Sequence, residues 1–227
     1  KNSDVKFIYN WERVDRVHRE VKESTENTVG ASFDLNPYDW LLLRGSYKHG
    51  DRNPVDYEAN EDNTIPFPAV IPTSRKFDEA GRTRHRGEAL LQVTPFDPLS
   101  FSVAYGTTQD AYRDKGCIWL GYDQCYGLLK DISYNYSFDV SYAPTSKLSL
   151  FAEYTKEKYN YRQRSRQRSP ASGNTPANDS PNNDWEANRR DKVDNYATGL
   201  TATLAPKAVV DLFYSLSVAD NKLFTRA

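Results

Sequence analysis

The segment Ser133–Glu157, SYNYSFDVSYAPTSKLSLFAEYTKE, decides the fold. The apolar positions of its first half are Tyr134, Tyr136, Phe138, Val140 and Tyr142. Serine, asparagine and aspartate stand between them, and a second alternation follows a Pro-Thr-Ser turn. Because successive side chains of a strand point to opposite faces, this pattern predicts a long β-hairpin with one apolar and one polar face.

The same plan occurs four times, each time as about ten alternating residues, a turn with proline, and about ten more. The predicted turns lie at Pro37, Pro95, Pro144 and Pro206, which are 58, 49 and 62 residues apart (95−37, 144−95, 206−144). This spacing is too irregular for the stacked units of a solenoid. The opposite connections, at about 52–82, 110–130 and 162–192, are long and polar. Short turns on one side and long loops on the other are typical of outer-membrane barrels.

Nine strands are predicted, and residues 1–227 are expected to form a single all-β domain, an antiparallel up-and-down transmembrane β-barrel. Their approximate bounds are Asp4–Val17, Thr25–Leu35, Trp40–Asp51, Thr83–Thr94, Leu99–Asp110, Asp131–Ala143, Lys147–Tyr161, Val193–Ala205 and Ala208–Ala219. Bacterial single-chain barrels have even strand numbers, and an open sheet edge is costly in lipid, so we expect only part of a larger barrel. The final NKLFTRA is predicted to begin a loop. The short turns of the barrel are predicted to lie in the periplasm and its long loops outside the cell.

Composition is compatible with this interpretation. Mean hydropathy is −0.79, and no stretch approaches 18 consecutive apolar residues, which excludes a transmembrane helix but not spanning strands. Aromatic residues make up 13%, as suits strands and membrane interfaces. A soluble β-sandwich also alternates, but strands of ten or more residues exceed its usual length. The first residues contain no signal peptide, so either one was removed or the chain begins within a longer protein.

The polar face of the predicted strands carries the candidate lumen residues. They are Asp34, Arg44, Glu88, Asp139, Glu153 and Asp211. They either tune a lumen or contact a partner, or they form a hydrated wall with no specific role. Phe151 and Phe213 break the pattern, because the period of two assigns both to the polar face.

The sequence contains no catalytic or cofactor-binding motif, which predicts a non-enzymatic chain without a cofactor of its own. His18, His49 and His85 are separated in sequence and are expected to be exposed near strand ends. No C-x-x-C-H haem attachment occurs. Cys117 and Cys125 lie close together and are predicted to form a loop disulfide, which implies an oxidising compartment; two free thiols are the alternative.

The run RQRSRQR places four guanidinium groups on one face of an extended chain: Arg162, Arg164, Arg166 and Arg168. Counted from the apolar positions before it, that face is the lipid side beyond the membrane. Guanidinium groups there could bind lipopolysaccharide phosphates in bidentate fashion. A solvated strand extension is the plain alternative. A net charge of −1 argues against nucleic acid, leaving a partner's acidic surface as the remaining option.

Three stretches, RKFDEAGRTRHRGEALLQVTPFDPLSFSVAYG, YGLLKDISYNYSFDVSYAPTSKLSLFAEYTKEKYNYRQRSR and DNYATGLTATLAPKAVVDLFYS, resemble the MtrB/PioB family of decahaem-associated outer-membrane barrels. The resemblance extends from about Trp11 to Leu223. It implies a Gram-negative outer-membrane barrel that sheathes a periplasmic multihaem c-type cytochrome, with the haem carried by that partner. A further cytochrome outside the cell and outer-membrane lipid are the other implied partners. A diffusion porin without a cytochrome is the main alternative, and a soluble β-sandwich binding module is the third.

Overall fold

The fold is a single antiparallel sheet of nine strands in a computed structural model that describes residues 3–17, 19, 21–57, 75–113, 126–166 and 181–226. The strands are β1 (Asp4–Asp15), β2 (Val21–Tyr38), β3 (Leu41–Tyr57), β4 (Arg82–Phe96), β5 (Leu99–Tyr112), β6 (Gly127–Thr145), β7 (Leu148–Arg166), β8 (Asp184–Ala205) and β9 (Ala208–Arg226). One 3₁₀ turn, Pro181–Asn183, precedes β8.

Each strand pairs with its neighbours in sequence, so the spatial order is β1 to β9 without a crossover. The predicted nine strands and the all-β, up-and-down architecture are therefore confirmed, and the open sheet is consistent with part of a barrel. β1 and β9 are the two edges of the sheet. Among the described residues, no helix has the length and apolar character needed to cross a bilayer.

The prolines lie mostly beside the turns, which corrects the prediction for three of the four hairpins. The turn residues are 39–40, 97–98, 146–147 and 206–207, so of the four predicted prolines only Pro206 is in a turn. Pro37, Pro95 and Pro144 instead lie where the pairing register shifts, just before the turn. Proline has no backbone N–H to donate, so it is tolerated where the hydrogen-bond ladder is already interrupted.

The strands extend further toward the long loops than the alternation predicted. β8 begins at Asp184 instead of Val193, and much of the predicted loop 162–192 is strand. β9 runs to Arg226, so residues 221–226 of the predicted loop continue the strand. β1 is the exception, since it ends at Asp15. Beyond the bilayer both faces of a strand can be polar, so the hydrophobic alternation stops while backbone pairing continues.

The apolar face carries a diagonal line of tyrosines, Tyr47, Tyr105, Tyr154 and Tyr214, on β3, β5, β7 and β9. On β9, Leu216 and Val218 continue the apolar face beyond this line. The residue directly opposite Tyr47 on β4, the residue opposite that one on β5, and so on across the sheet lead to Asp220 on β9. Asp220 is six residues (220−214) beyond Tyr214. Interfacial aromatics lie at one depth. The tyrosine line therefore shifts by six residues, about 20 Å along the strands, while it crosses six strand spacings, about 29 Å. If the line is level in the membrane, the strands are tilted from the membrane normal by about 35°. This agrees with the tilt of membrane barrels.

Buried side chains concentrate at the long-loop end of the sheet. Ala80, Tyr112 and Leu128 pack together, with Tyr161 against them. Tyr126 is fully buried nearby, and its hydroxyl donates to Asp184 Oδ1 over 3.2 Å. The packed part of this chain is therefore the mouth beyond the membrane, while the spanning part exposes one face to lipid and the other to the interior.

Phe151 and Phe213, the two exceptions to the alternation, cover a glycine on the polar face. Both stand directly opposite Gly199, and their ring centroids are 6.0 Å apart. A Cβ at Gly199 would lie 2.6 Å from the backbone oxygen of Leu212 and 2.6 Å from Phe151. Aromatic rings that cover a strand glycine restore packing that the missing side chain cannot supply.

Replacing Gly199 with valine is expected to destabilise the folded barrel by about 1–3 kcal/mol, because the new atoms meet backbone that cannot move aside. The measurement is the temperature at which the barrel loses its folded mobility on a gel. Ala197→Val is the matched control, since Ala197 is the adjacent position on the same face of β8. Equal melting of the two variants would contradict the packing argument.

Candidate functional site: the polar face and the loop-end rim

The six predicted lumen residues all lie on the polar face of the sheet. Arg44 donates from Nε and NH2 to Oδ2 of Asp34, over 2.8 and 2.6 Å, from the position directly opposite. The carboxylates Glu88, Asp139, Glu153 and Asp211 accept from the hydroxyls of Ser46, Ser102, Thr155 and Thr201 respectively. These charges are held within the wall by their neighbours, while their role toward a lumen stays a prediction.

Small side chains dominate the centre of the polar face. On β5 the positions are Ser100, Ser102, Ala104, Gly106 and Thr108, and on β6 they are Ser133, Asn135, Ser137, Asp139 and Ser141. Barrels of about eight strands fill their interior with side chains. The short side chains on β5 and β6 instead extend little from the sheet, so they leave the space on the polar side of the sheet open.

Five charged residues form a cluster at the long-loop end of the polar face, here called the rim cluster: Glu26, Arg52, Arg82, Arg84 and Asp110. Asp110 is 4% exposed and accepts from Arg84 Nε and NH2 over 2.7 and 2.6 Å. Arg82 bridges the two carboxylates, with NH2 3.0 Å from Glu26 Oε2 and NH1 3.5 Å from Asp110 Oδ2. The cluster therefore couples β2, β4 and β5.

Burial alters ionisation in and beside the rim cluster. Burial is the main cause that lowers the pKa of Arg52 to about 10, and repulsion by the charge of the neighbouring Arg82 is the second. Arg52 therefore stays charged at neutral pH. The hydrogen bonds to Asp110 raise the pKa of Arg84, although burial opposes this. Asp131 stands directly opposite Asp110, and burial together with that carboxylate raises its pKa.

The segment 75–81 covers the polar face above the rim cluster. Arg52 donates from Nε to the carbonyl of Ala80 over 2.9 Å and from NH2 to the carbonyl of Phe77 over 2.6 Å. At the other end of the segment, Arg75 N donates to the Tyr126 carbonyl over 2.8 Å. Sequence reasoning assigned this segment to a loop and missed both contacts, because each joins residues 25 to 51 positions apart.

Two histidines meet on the apolar face just beyond Tyr47. His49 and His85 stand directly opposite, with 3.4 Å between their Nδ1 atoms, and the Tyr47 hydroxyl is 2.6 Å from His85 Nδ1. His49 lies in the middle of β3, so its predicted place near a strand end was wrong. His18 lies outside the described residues. Within the described ranges, no group of three or more His, Cys, Asp or Glu side chains could hold a metal ion.

The arginine run continues β7 beyond the membrane, and the described members are paired with carboxylates of β8. Arg162 NH2 lies 2.8 Å from Glu186 Oε2, Arg164 bonds the other oxygen of Glu186, and Arg166 Nε lies 2.5 Å from Asp184. The hydrogen bonds from Arg162 and Arg164 hold the pKa of Glu186 below its usual range. Lipopolysaccharide contact by the run stays a prediction. Arg168, Cys117 and Cys125 lie outside the described residues.

Comparison with known proteins gives two matches over nearly the whole chain. The family model described as outer membrane beta-barrel porin, MtrB/PioB, matches residues 1–226. The outer membrane protein MtrB of Shewanella baltica (strain OS185) is 26% identical over 223 residues, which is 96% of this chain. The chain spans 28% of the length of that relative.

Proposed function

Because the chain belongs to the MtrB/PioB family of outer-membrane β-barrel proteins, we propose that it forms part of the wall of a barrel that sheathes a periplasmic multihaem c-type cytochrome. The outer-membrane location follows from the family and the relative. In this proposal the chain is a non-enzymatic scaffold without its own cofactor. The partner's haems carry electrons across the membrane, and a second cytochrome outside the cell docks at the long-loop end.

The observation that carries this proposal is the row of small polar side chains on β5 and β6. A wall of Ser, Ala, Gly and Thr lets a large, rigid occupant approach the backbone closely. The polar side chains can form hydrogen bonds with the surface of a soluble protein, while the apolar face contacts lipid. Such a wall separates a chain of haems from both the bilayer and bulk water.

The pairing of charges within the wall gives further support. Arg44 and Asp34 neutralise each other. Arg86 and Glu88 do the same, with 2.6 Å between Arg86 Nη2 and Glu88 Oε1. At these two positions a docked protein meets no uncompensated charge, which would be costly to desolvate. Asp139, Glu153 and Asp211 are held by hydroxyl groups instead. No nucleic acid partner is proposed, since the net charge is −1.

The test is purification of the tagged barrel from outer membranes in mild detergent, followed by haem staining and visible absorbance. The expected result is a covalent haem protein at a fixed ratio to the barrel, and low ion conductance in planar bilayers. A barrel without haem and with a large open conductance would overturn the sheath.

A diffusion porin is the second candidate, because the family description names a porin and the small side chains also suit a water-filled passage. Deleting the host's genes for multihaem c-type cytochromes distinguishes the two. A sheath is expected to lose stability or abundance without its occupant, since binding to the folded state stabilises it. A porin would be unaffected.

A further inference from the structure

The outer surface of β7–β9 carries cations that face each other across strands. Lys158 stands directly opposite Lys192, and Arg190 stands directly opposite Lys222. All four lie on the apolar face's side of the sheet, beyond the tyrosine line. Like charges directly opposite in an antiparallel pair destabilise the sheet. We call these four residues the cation patch.

Nearby carboxylates do not balance the cation patch. Lys222 lies 3.4 Å from Asp220, and the adjacent Lys156 lies 3.1 Å from Asp194. Counting these residues gives five cations and two anions, a local charge of +3. In the described part of the chain, Lys158, Lys192 and Arg190 form no ion pair. Two of them instead lie over aromatic rings, Lys158 at 5.7 Å from Tyr136 and Arg190 at 5.5 Å from Phe224.

The cation patch begins at the depth of lipid headgroups with Lys158 and Lys192, and Arg190 and Lys222 lie further out. Lys158 is four residues beyond Tyr154, which at the strand tilt derived above places it about 11 Å above the tyrosine line. Lys192 is four residues from Tyr196 on the neighbouring strand. The side chains point to the lipid side, and the long-loop end of an outer-membrane barrel faces the cell exterior. The patch therefore meets the outer leaflet.

We propose that the cation patch binds the phosphate groups of lipopolysaccharide in the outer leaflet. Lysine and arginine are the side chains that bind phosphate, and guanidinium groups do so through paired hydrogen bonds. An anion shared by opposite cations removes their mutual repulsion. The arginine run is the weaker candidate for this contact, because Arg162 and Arg164 share Glu186. The proposal depends on the outer-membrane location and not on a cytochrome occupant.

The test compares the full-length wild-type barrel with the triple variant Lys158→Gln, Lys192→Gln and Arg190→Gln. Lipopolysaccharide that remains bound after detergent extraction is quantified per barrel. At roughly a factor of five per cation near an anionic surface, the triple variant is expected to bind about a hundredfold more weakly. The matched control, Arg162→Gln with Arg164→Gln, is expected to keep the wild-type amount.

A second measurement separates binding from misfolding. In lipid-free detergent the triple variant is expected to melt at or above the wild-type temperature, because the like-charge pairs are gone. Added lipopolysaccharide should raise the melting temperature of the wild type only, and dephosphorylated lipid should not. Equal lipid retention by the triple variant would overturn the proposal. So would loss of lipid in the control alone, or equal stabilisation by inorganic phosphate, which would indicate a free-anion site.

Discussion

Replacing Asp110 with asparagine is expected to lower the free energy of unfolding by about 2–3 kcal/mol, one of the two largest effects expected in the described part of this chain. Asp110 is buried and holds Arg84 through two short hydrogen bonds, with Arg82 as its second partner. The variant keeps the shape but leaves two guanidinium groups with one carboxylate, Glu26. The loss is costly because Arg82, 12% exposed, stays largely buried without this partner, whereas Arg84, 36% exposed, keeps contact with water.

Thermal or urea unfolding of the detergent-solubilised barrel measures this loss, and Asp139→Asn is the control. Asp139 lies on the same face and accepts from Ser102 over 2.8 Å. An asparagine there can accept the same bond, so the expected loss stays below about 1 kcal/mol. The double variant Arg84→Met, Asp110→Leu should be milder than Asp110→Asn, since no uncompensated charge remains at that pair. A double variant as damaged as the single one would contradict the charge argument.

The pH dependence gives an independent check of the same substitution. The raised pKa of Asp131 means that its contribution to stability is complete below its ordinary pKa of 3.8 and is lost as pH rises through the folded value. Part of that rise comes from the opposing Asp110. In Asp110→Asn the stability that protonated Asp131 contributes at acidic pH should therefore be smaller. Unfolding curves recorded at a series of pH values around 3.8 would measure this change. An unchanged difference between mildly acidic and neutral pH would argue against coupling of the two carboxylates.

The membrane-spanning half of the fold could be predicted from sequence because lipid imposes a strict period of two. Leu99, Phe101, Val103 and Tyr105 all lie on the predicted face, and the turn after β4 begins two residues after its predicted proline. The signal ends where β7 leaves the bilayer. There, the pairing of Arg166 with Asp184 replaces hydrophobic contacts, and polar residues on both faces look like a loop in the sequence.

The rim cluster could not be predicted, because its members come together only through the register of β2–β5 and the return of the segment 75–81. Glu26 and Arg82, for example, are 56 residues apart in sequence. The pair His49 and His85 was missed for the same reason. Once both strands are aligned at their turns, counting outward from Leu43 and Leu91 brings the two histidines opposite each other. That count, with the bulges included, is the signal that sequence reasoning could have used.

Replacing Arg52 with methionine is expected to release the segment 75–81 from the mouth. Arg52 is 6% exposed, and its two hydrogen bonds to the carbonyls of Ala80 and Phe77 join the segment to β3. Methionine fills similar space but donates nothing, so two carbonyl groups lose their partner. Each such loss costs about 1–3 kcal/mol where the group stays buried. Opening of the segment, which returns the carbonyls to water, is the lower-energy outcome.

Trypsin reports this opening directly, because Arg75 and Lys76 lie within the segment and Arg75 is buried in the wild type. Cleavage after these residues is expected to be fast in Arg52→Met and slow in the wild type. Arg52→Lys should be intermediate, since one ammonium group keeps the charge but lacks the planar fork that reaches both carbonyls. Arg44→Met is the control, because Arg44 lies on the same strand as Arg52 and its pair with Asp34 on β2 is exposed. Wild-type resistance in Arg52→Met would overturn the role given to Arg52. It would show that the other contacts of the segment hold it, among them the bond from Arg16 to the Asp78 carbonyl and that from Arg75 to Tyr126.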